Sequence, residues 1–317
     1  MKNEGQKLSE NVSIGKDRSI LLGSHVVCDG FIKRKPITVF THIHSDHICS
    51  LPRALKSYET EILVSIPTRD LLVAMEGCHL LKRSNLTALK WGAPHTIQED
   101  TITLHKSEHI LGSSQVLVEK EEECRIVYTG DFNNETQPLE ADILVIDAMY
   151  GTLRRNYEMA DLVDEILYLI RREIHRGRPV YFFTWRGRLQ RMMGVFRREG
   201  IDAPFISTPE EIELAKVYGK YEGRIENLIS RDTMEAWEIM RAEDPYVAFY
   251  NTNARPGIAE KYLRIVATAY DAPFPIYMPR KNYYRVAISD HADFLGIKKY
   301  IEESRPKLVV TDASRAR

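Results

Sequence analysis

Residues 41–47 read THIHSDH and follow directly on the apolar run Ile37, Val39, Phe40. Three of the ten histidines of the chain, His42, His44 and His47, fall within these seven positions, and Asp46 stands among them. If Val39 and Phe40 close a buried strand, His42 and His44 lie two apart on extended backbone and project to one side. Both imidazoles can then reach one ion. Asp46 and His47 follow as the chain turns into a helix expected to run from Asp46 to about Leu55, and they offer an oxygen and a nitrogen to a second ion close by. The competing reading satisfies three imidazoles by ordinary hydrogen bonds within one turn of chain, and their density argues against it. Imidazole and carboxylate without thiolate favour zinc, with manganese or iron as lesser options.

Two ions need further ligands, and two strand-like stretches supply them. In SEHILGSSQV, His109 precedes Gly112, Ser113 and Ser114, small residues that let backbone approach a site closely. In IVYTGDFNN, Asp131 sits just after Gly130 at the end of a strand, where a carboxylate can project into a cleft and bridge two ions. Alone, either residue reads as an ordinary loop position; beside THIHSDH, both become candidate ligands.

The first 150 residues alternate short apolar runs with turns, as in Ile20–Leu22, Ile62–Ile66, Gln115–Val118 and Ile143–Ile146, which predicts a strand-rich α/β region. From Glu158 the rhythm changes. Leu162, Ile166, Ile170 and Ile174 recur at four-residue steps along one helix face, closed by Gly177 before the strand expected at Val180–Phe183. Thr208, Pro209 and Glu211 have the order of an N-cap, a first-turn proline and a capping-box glutamate. A strand at Tyr246–Tyr250, a helix near Ile258–Val266 and a strand at Arg285–Ile288 are expected next. Helix and strand in alternation predict crossover units on a parallel sheet, and the two rhythms predict two domains.

At 317 residues and 44% hydrophobic, the chain can bury a large core. The mixed polar N-terminus has no signal-peptide run, and no stretch approaches a membrane span, so the cytoplasm is expected and a membrane partner is not. Four scattered cysteines argue against a disulfide framework or a cysteine-based zinc knuckle. The net charge of −1 conceals segregation: residues 171–200 hold nine arginines against Glu173 and Glu199, and residues 119–147 hold nine acids against Lys120 and Arg125. Tyr181, Phe182, Phe183 and Trp185 interleave with the arginines. Guanidinium groups suit phosphates and aromatic faces suit bases, although the same aromatics also fit a buried strand.

THIHSDH, HILGSSQV and IVYTGDF, in this order and spacing, resemble the metallo-β-lactamase fold, and the HILGS wording is similar to its nucleic-acid-processing β-CASP branch. LVIDAMYGT around Asp147 resembles that branch's acidic motif A, WRGRLQRM from Trp185 to Met192 its GRxQ segment, and VAISDHADF its motif B histidine, here His291. The resemblance spans residues 20–312. It implies an αββα sandwich of residues 1–152 and 281–317, with an inserted, smaller α/β parallel-sheet β-CASP-like domain at 153–280. The compact size and the HILGSSQV and SDHADF wording are similar to archaeal and bacterial exonucleases of the RNA 3′-end-processing-factor-like and DNA-ligase-associated types.

The resemblance further implies a zinc-dependent hydrolase cleaving phosphodiester bonds of RNA or single-stranded DNA, an exonuclease in RNA processing or DNA repair. Metal ions acidify a bridging water and clamp the phosphate. It assigns His42, His44 and His109 to one ion and Asp46 and His47 to the other, with Asp131 bridging. Asp147 supports a ligand or the water by hydrogen bonds, and His291 contacts the scissile phosphate or protonates the leaving oxygen. Arg186, Arg188 and His291 are the expected nucleic-acid contacts, in a cleft between cap and sandwich. One departure stands out: VVTDASRAR places Asp312 where RNA-cleaving members have a histidine. Asp312 is therefore a candidate ligand of the second ion, and two-metal occupancy is open. A small ester or thioester hydrolase and a non-catalytic nucleic-acid-binding homologue are the alternatives.

Overall fold

Runs such as ILL at 20–22, VVC at 26–28 and ITV at 37–39 are too short for helices and rich in β-branched residues, and each becomes a buried strand. The computed structural model describes residues 8–120, 124–151, 159–254, 256–268 and 274–312. It is a mixed α/β structure with three multi-stranded sheets, and the chain divides into two compact units, Met1–Arg154 with Asp290–Arg317, and Arg155–Ser289. The boundary expected at 152–153 lies outside the described residues.

In the first unit, β1 (Val12–Ile14), β2 (Ile20–Leu22), β3 (Val26–Cys28), β4 (Ile37–Val39), β5 (Glu61–Ser65) and β6 (Leu86–Leu89) form one six-stranded sheet in chain order. β7 (Pro94–Ile97), β8 (Asp100–Lys106), β9 (Ser114–Lys120), β10 (Cys124–Tyr128) and β11 (Ile143–Asp147) form a second, completed beside β11 by the strand Leu308–Asp312. Inward residues of both sheets, among them Ile20, Val39 and Leu63 from the first and Leu104, Val116, Val118 and Val145 from the second, make one buried cluster. Each large aliphatic side chain so buried contributes roughly 1.5–3 kcal/mol, so this inter-sheet layer is what holds the strand ends, and the loops they carry, in place. The outward residues Leu117, Val127, Leu144 and Ile146 pack instead with Ile297 and Tyr300 of the helix Phe294–Ser304.

The helix expected over Asp46–Leu55 is two short pieces, α1 (Ser45–Ile48) and α2 (Leu51–Ala54). Pro52 has no N–H with which to continue the ladder from α1. α3 (Ile66–Glu76) starts where Ser65 Oγ accepts from Thr68 N, with Pro67 in the first turn.

In the second unit, α4 (Met159–His175), β12 (Val180–Thr184), α5 (Arg188–Arg198), β13 (Phe205–Ser207), α6 (Pro209–Glu222), β14 (Leu228–Ser230), α7 (Met234–Ala242) and β15 (Val247–Asn251) alternate helix and strand. Three strands follow without intervening helices among the described residues: β16 (Leu263–Ala267), β17 (Ile276–Arg280) and β18 (Tyr283–Val286). The sheet order is β14-β13-β15-β12-β16-β18-β17, parallel throughout except for β17 against β18. The helix expected near Ile258–Val266 is therefore corrected. Leu263, Ile265 and Ala267 are buried while Arg264 and Val266 are half-buried, a period-two pattern of a strand. The hairpin of β17 and β18, which straddles the expected boundary at 280–281, lies wholly in this sheet. Tyr181 and Phe183 pack on one face of β12, and Phe182 packs against Phe196 and Phe249 on the other. Those aromatics are a strand core. The chain then returns to the first unit with α8 (Phe294–Ser304) and β19 (Leu308–Asp312).

Candidate metal centre

Four segments of the first unit bring their strand-end residues together. After β4 the chain carries His42 and His44, and α1 carries Asp46 and His47. His109 lies in the loop 107–113 after β8, closed on itself by Ser107 N to the Ser113 carbonyl and Ser113 N to the Ile110 carbonyl. That loop is latched to the start of α3, where Ser65 Oγ and Thr68 Oγ1 donate to the Gly112 carbonyl at 2.7 and 2.9 Å. Gly112 has φ +86°, and a Cβ there would meet Thr68 Oγ1 at 2.5 Å, so only glycine permits the close approach. Asp131 follows β10, and Asp147 ends β11.

Hydrogen bonds on the outer side of the imidazoles fix which nitrogen faces inward. Thr41 Oγ1 donates to Asp29 Oδ2 at 2.8 Å, so it accepts from His42 Nδ1–H at 3.0 Å. His109 donates Nδ1–H to the Asp290 carbonyl at 2.9 Å, and His47 donates Nδ1–H to Asp29 Oδ2 at 2.7 Å. Each of these rings turns Nε2 inward. There His42 Nε2 and His109 Nε2 lie 3.0 and 3.1 Å from His44 Nδ1 and 3.5 and 3.4 Å from Asp131 Oδ2. His44 has at most one hydrogen on Nδ1 to give, so one lone pair stays unmatched among donors all within 4.8 Å of one another. A cation resolves the conflict. Burial holds His42 and His109 well below the ordinary histidine range, so both are neutral, as ligands must be.

His47 points to a second position. Its Nε2 is buried without a hydrogen-bond partner, yet it lies 3.2 Å from Asp131 Oδ1 and 4.0 Å from Asp46 Oδ2. Burial lowers the proton affinity of His47, but Asp131 and Asp29 outweigh it and carry the ring well above its ordinary value. The Asp131 carboxyl is held well below the carboxylate range, because His47 and His291 overcome the opposing effect of burial. The donor set fits one cation among His42, His44, His109 and Asp131, and a second near Asp46, His47 and Asp131. The identity of the metal is not specified by these groups.

His291 precedes α8, and its ring centroid lies 4.7 Å from that of His109 in a tilted arrangement. Its Nδ1 lies 2.8 Å from Asp147 Oδ2 and its Nε2 4.0 Å from Asp131 Oδ2. Burial opposes its charge, but Asp147 and Asp131 raise it to about 9. Burial pushes the Asp147 carboxyl up against the pull of His291, and at neutral pH the proton of the pair sits on the histidine. Asp293 caps α8, accepting from Gly296 N at 2.8 Å.

Asp312 belongs to neither of these groups among the described residues. It pairs in register with Asp147, and Tyr128 Oη lies 3.4 Å from its Oδ2 and 3.1 Å from Asp29 Oδ2. Arg186 and Arg188 carry structural tasks in the second unit. Arg186 is bound to Glu211 at 2.9 Å and Glu210 at 3.0 Å, and buried Arg188 donates to the Ile288 carbonyl at 2.8 Å. Sequence reasoning missed Asp29. Its carboxylate is fully buried and takes the Thr41 N–H as well as the Thr41 and His47 side chains; the one available signal was an acid ending the apolar strand in VVCDG. A separate grouping of His25, Glu99 and Asp100 lies at the start of β8.

The fold and site thus define a mixed α/β protein with a histidine–aspartate centre able to bind metal. Over 141 residues the chain is 30% identical to the Acidianus ambivalens protein named “Uncharacterized protein in lig 3'region”, covering 97% of that protein and 42% of this chain; the chain belongs to the family of that protein. It is also 24% identical over 299 residues to a “Probable DNA ligase” of Opitutus terrae, where the match takes in 86% of this chain and 26% of the relative. A crystal structure of a protein of unknown function from Enterococcus faecalis V583 shares the fold, with a TM-score of 0.59 at 16% identity over 87% of this chain and 74% of that one. No family model matches. Among the described residues no helix is long and apolar enough to cross a membrane.

Proposed function

We propose that this protein is a metal-dependent nuclease, hydrolysing phosphodiester bonds of single-stranded DNA from an end, with a metallo-β-lactamase-like first unit and a β-CASP-like second one. The observation that carries the reading is the inward convergence of His42, His44, His109 and Asp131 beside the His291–Asp147 pair. DNA rather than RNA is favoured by the names of two relatives, one set in the lig 3′ region and one called a probable DNA ligase.

His42, His44, His109 and Asp131 would hold one ion, and Asp46, His47 and Asp131 a second; zinc suits this donor set, and manganese is the alternative. When bound, the ions supply an acidified water and positive charge against the phosphate oxygens. Asp29 holds the His47 ring so that Nε2 is presented inward, and the Asp290 carbonyl does the same for His109. His291 enters the reaction charged. Asp147 orients it through Nδ1, leaving Nε2–H to donate to a phosphate oxygen or to protonate the leaving alkoxide. Asp312, in register with Asp147 at the end of β19, is a further candidate ligand of the second ion.

The test is incubation of zinc-loaded protein with end-labelled single-stranded DNA and RNA, beside a thioester. Stepwise shortening of DNA that Asp131→Asn abolishes is expected. Thioester turnover with intact strands would overturn the proposal, and preferential cleavage of RNA would overturn its choice of substrate.

A further inference from the structure

The second unit holds a cationic cavity that the proposed centre does not use. Tyr262, Arg264, Arg280, Lys281 and Tyr283 line an open space of about 220 Å3, with Glu260 and Asn282 at its wall. It lies where β16 and β18 begin and β17 ends, the opposite end of the sheet from the Arg186 network that follows β12.

The turn that builds it is fixed. Arg280 and Tyr283 face each other across the hairpin, leaving Lys281 and Asn282 as its two connecting residues. Asn282 takes the left-handed region at φ +58°, which asparagine adopts more readily than most residues. Its Nδ2 donates to the Glu260 and Lys261 carbonyls at 3.1 and 3.2 Å, which ties the turn to the approach to β16. The Arg280 guanidinium lies 4.8 Å from the Tyr283 ring centroid, and Arg264 donates to the Ile258 carbonyl.

Three cations therefore share one concavity with a single lining carboxylate. Among the described residues neither Arg280 nor Lys281 forms an ion pair, and Glu260 forms none with Arg264. Like charges held together raise the local potential and favour an anion. A guanidinium resting on an aromatic face keeps its N–H edge available for two oxygens of one group, and a neighbouring ammonium adds a compact charge. Tyrosine rings beside it suit the sugar or base next to a phosphate.

We propose that this cavity is a phosphate-binding site that takes a backbone phosphate of the single-stranded DNA substrate, an inference that rests on the function proposed above. The full chain, stripped of metal to prevent turnover, is titrated with a fluorescent single-stranded 20-mer at several salt concentrations, and compared with Arg280→Ala/Lys281→Ala and with Lys281→Glu. The double variant is expected to bind on the order of tenfold more weakly, with a log K against log salt slope shallower by about 0.7–1. Lys281→Glu weakens binding further, and both variants keep wild-type hydrolysis of bis(p-nitrophenyl) phosphate once zinc is restored. Wild-type affinity and slope in both variants overturn the inference. So does thymidine monophosphate raising the melting temperature of the wild type, but not the double variant, with strand affinity unchanged, since the cavity then serves free nucleotides. Strand binding that these variants weaken, in a protein that cleaves nothing when zinc-loaded, removes the proposed nuclease while leaving the cavity as assigned.

Discussion

Replacing Asp29 by asparagine probes the outer shell of the second cation position without changing shape. The carboxylate accepts Thr41 N at 2.8 Å on Oδ1, and Thr41 Oγ1, His47 Nδ1 and Tyr128 Oη at 2.8, 2.7 and 3.1 Å on Oδ2. An amide keeps the first bond and turns an NH2 group towards the other three donors. The hydroxyls can rotate away; the imidazole can escape only by moving its hydrogen to Nε2, which blocks the lone pair meant for a cation. Charge-assisted hydrogen bonds contribute about 1.5–3 kcal/mol each, so the metal-free variant should lose roughly 2–4 kcal/mol. That corresponds to a drop of about 4–16 °C for a domain of this size class. Loss of an outer-shell partner lowers metal affinity about 10–100-fold, here for the position built on His47, while the one built on His42, His44 and His109 is spared. Calorimetry of chelator-treated protein and zinc competition against a chromophoric chelator read the two effects, and elemental analysis after dialysis should find one zinc ion fewer per chain than in the wild type. Two zinc ions bound within twofold of wild-type affinity, with an unchanged melting temperature, would refute the role given to Asp29.

Gly112→Ala should cost about 2–4 kcal/mol, since its Cβ meets Thr68 Oγ1 at 2.5 Å and Thr68 N at 2.7 Å at a φ of +86°; zinc affinity should fall with the displaced His109 loop, and an unaltered urea midpoint would contradict this. His291, whose folded-state value is raised to about 9, contributes stability that is fully present below pH 6.5 and lost as the pH rises through about 9. The urea-unfolding gap between metal-free wild type and His291→Gln should therefore be on the order of 3 kcal/mol at pH 6 and close by pH 10; a gap independent of pH counts against the ion pair with Asp147. Glu211→Ala strips the buried partner from Arg186 and from Gln190 Nε2, bonded at 2.9 and 2.6 Å, and should destabilise the second unit by about 3 kcal/mol, as read by chemical denaturation.

The histidine–aspartate grouping was legible because its signal is local. Three imidazoles and a carboxylate in seven positions have few structural uses, and the strand ends that carry His109 and Asp131 show in short β-branched runs. Asp29 was not legible, because an acid at the end of a strand looks like any turn residue until the fold brings Thr41, His47 and Tyr128 to it from 12, 18 and 99 positions away. The contacts of the arginine-rich segment were hidden for a related reason. Residue type signals phosphate binding, and it gives no sign that Arg186 bonds Glu211 and Arg188 the Ile288 carbonyl, both distant in sequence. Around Ile258–Val266 the difficulty was periodicity: a short segment with apolar residues at 258, 262, 263, 265 and 266 suits a helical face almost as well as it suits the strand it becomes.

The last strand of the first unit pairs with β11 through five residues, Leu308 to Asp312, and the Asp290 carbonyl and His291 arrive only just before it. A polypeptide still attached to the ribosome and halted short of residue 290 already carries His42, His44, His47, His109 and Asp131. It lacks whatever stops the His109 ring from spinning, and β11 still has a bare edge. Emergence of residues 290–312 from the ribosome is thus what lets the His109 ring be fixed and the edge of β11 be covered.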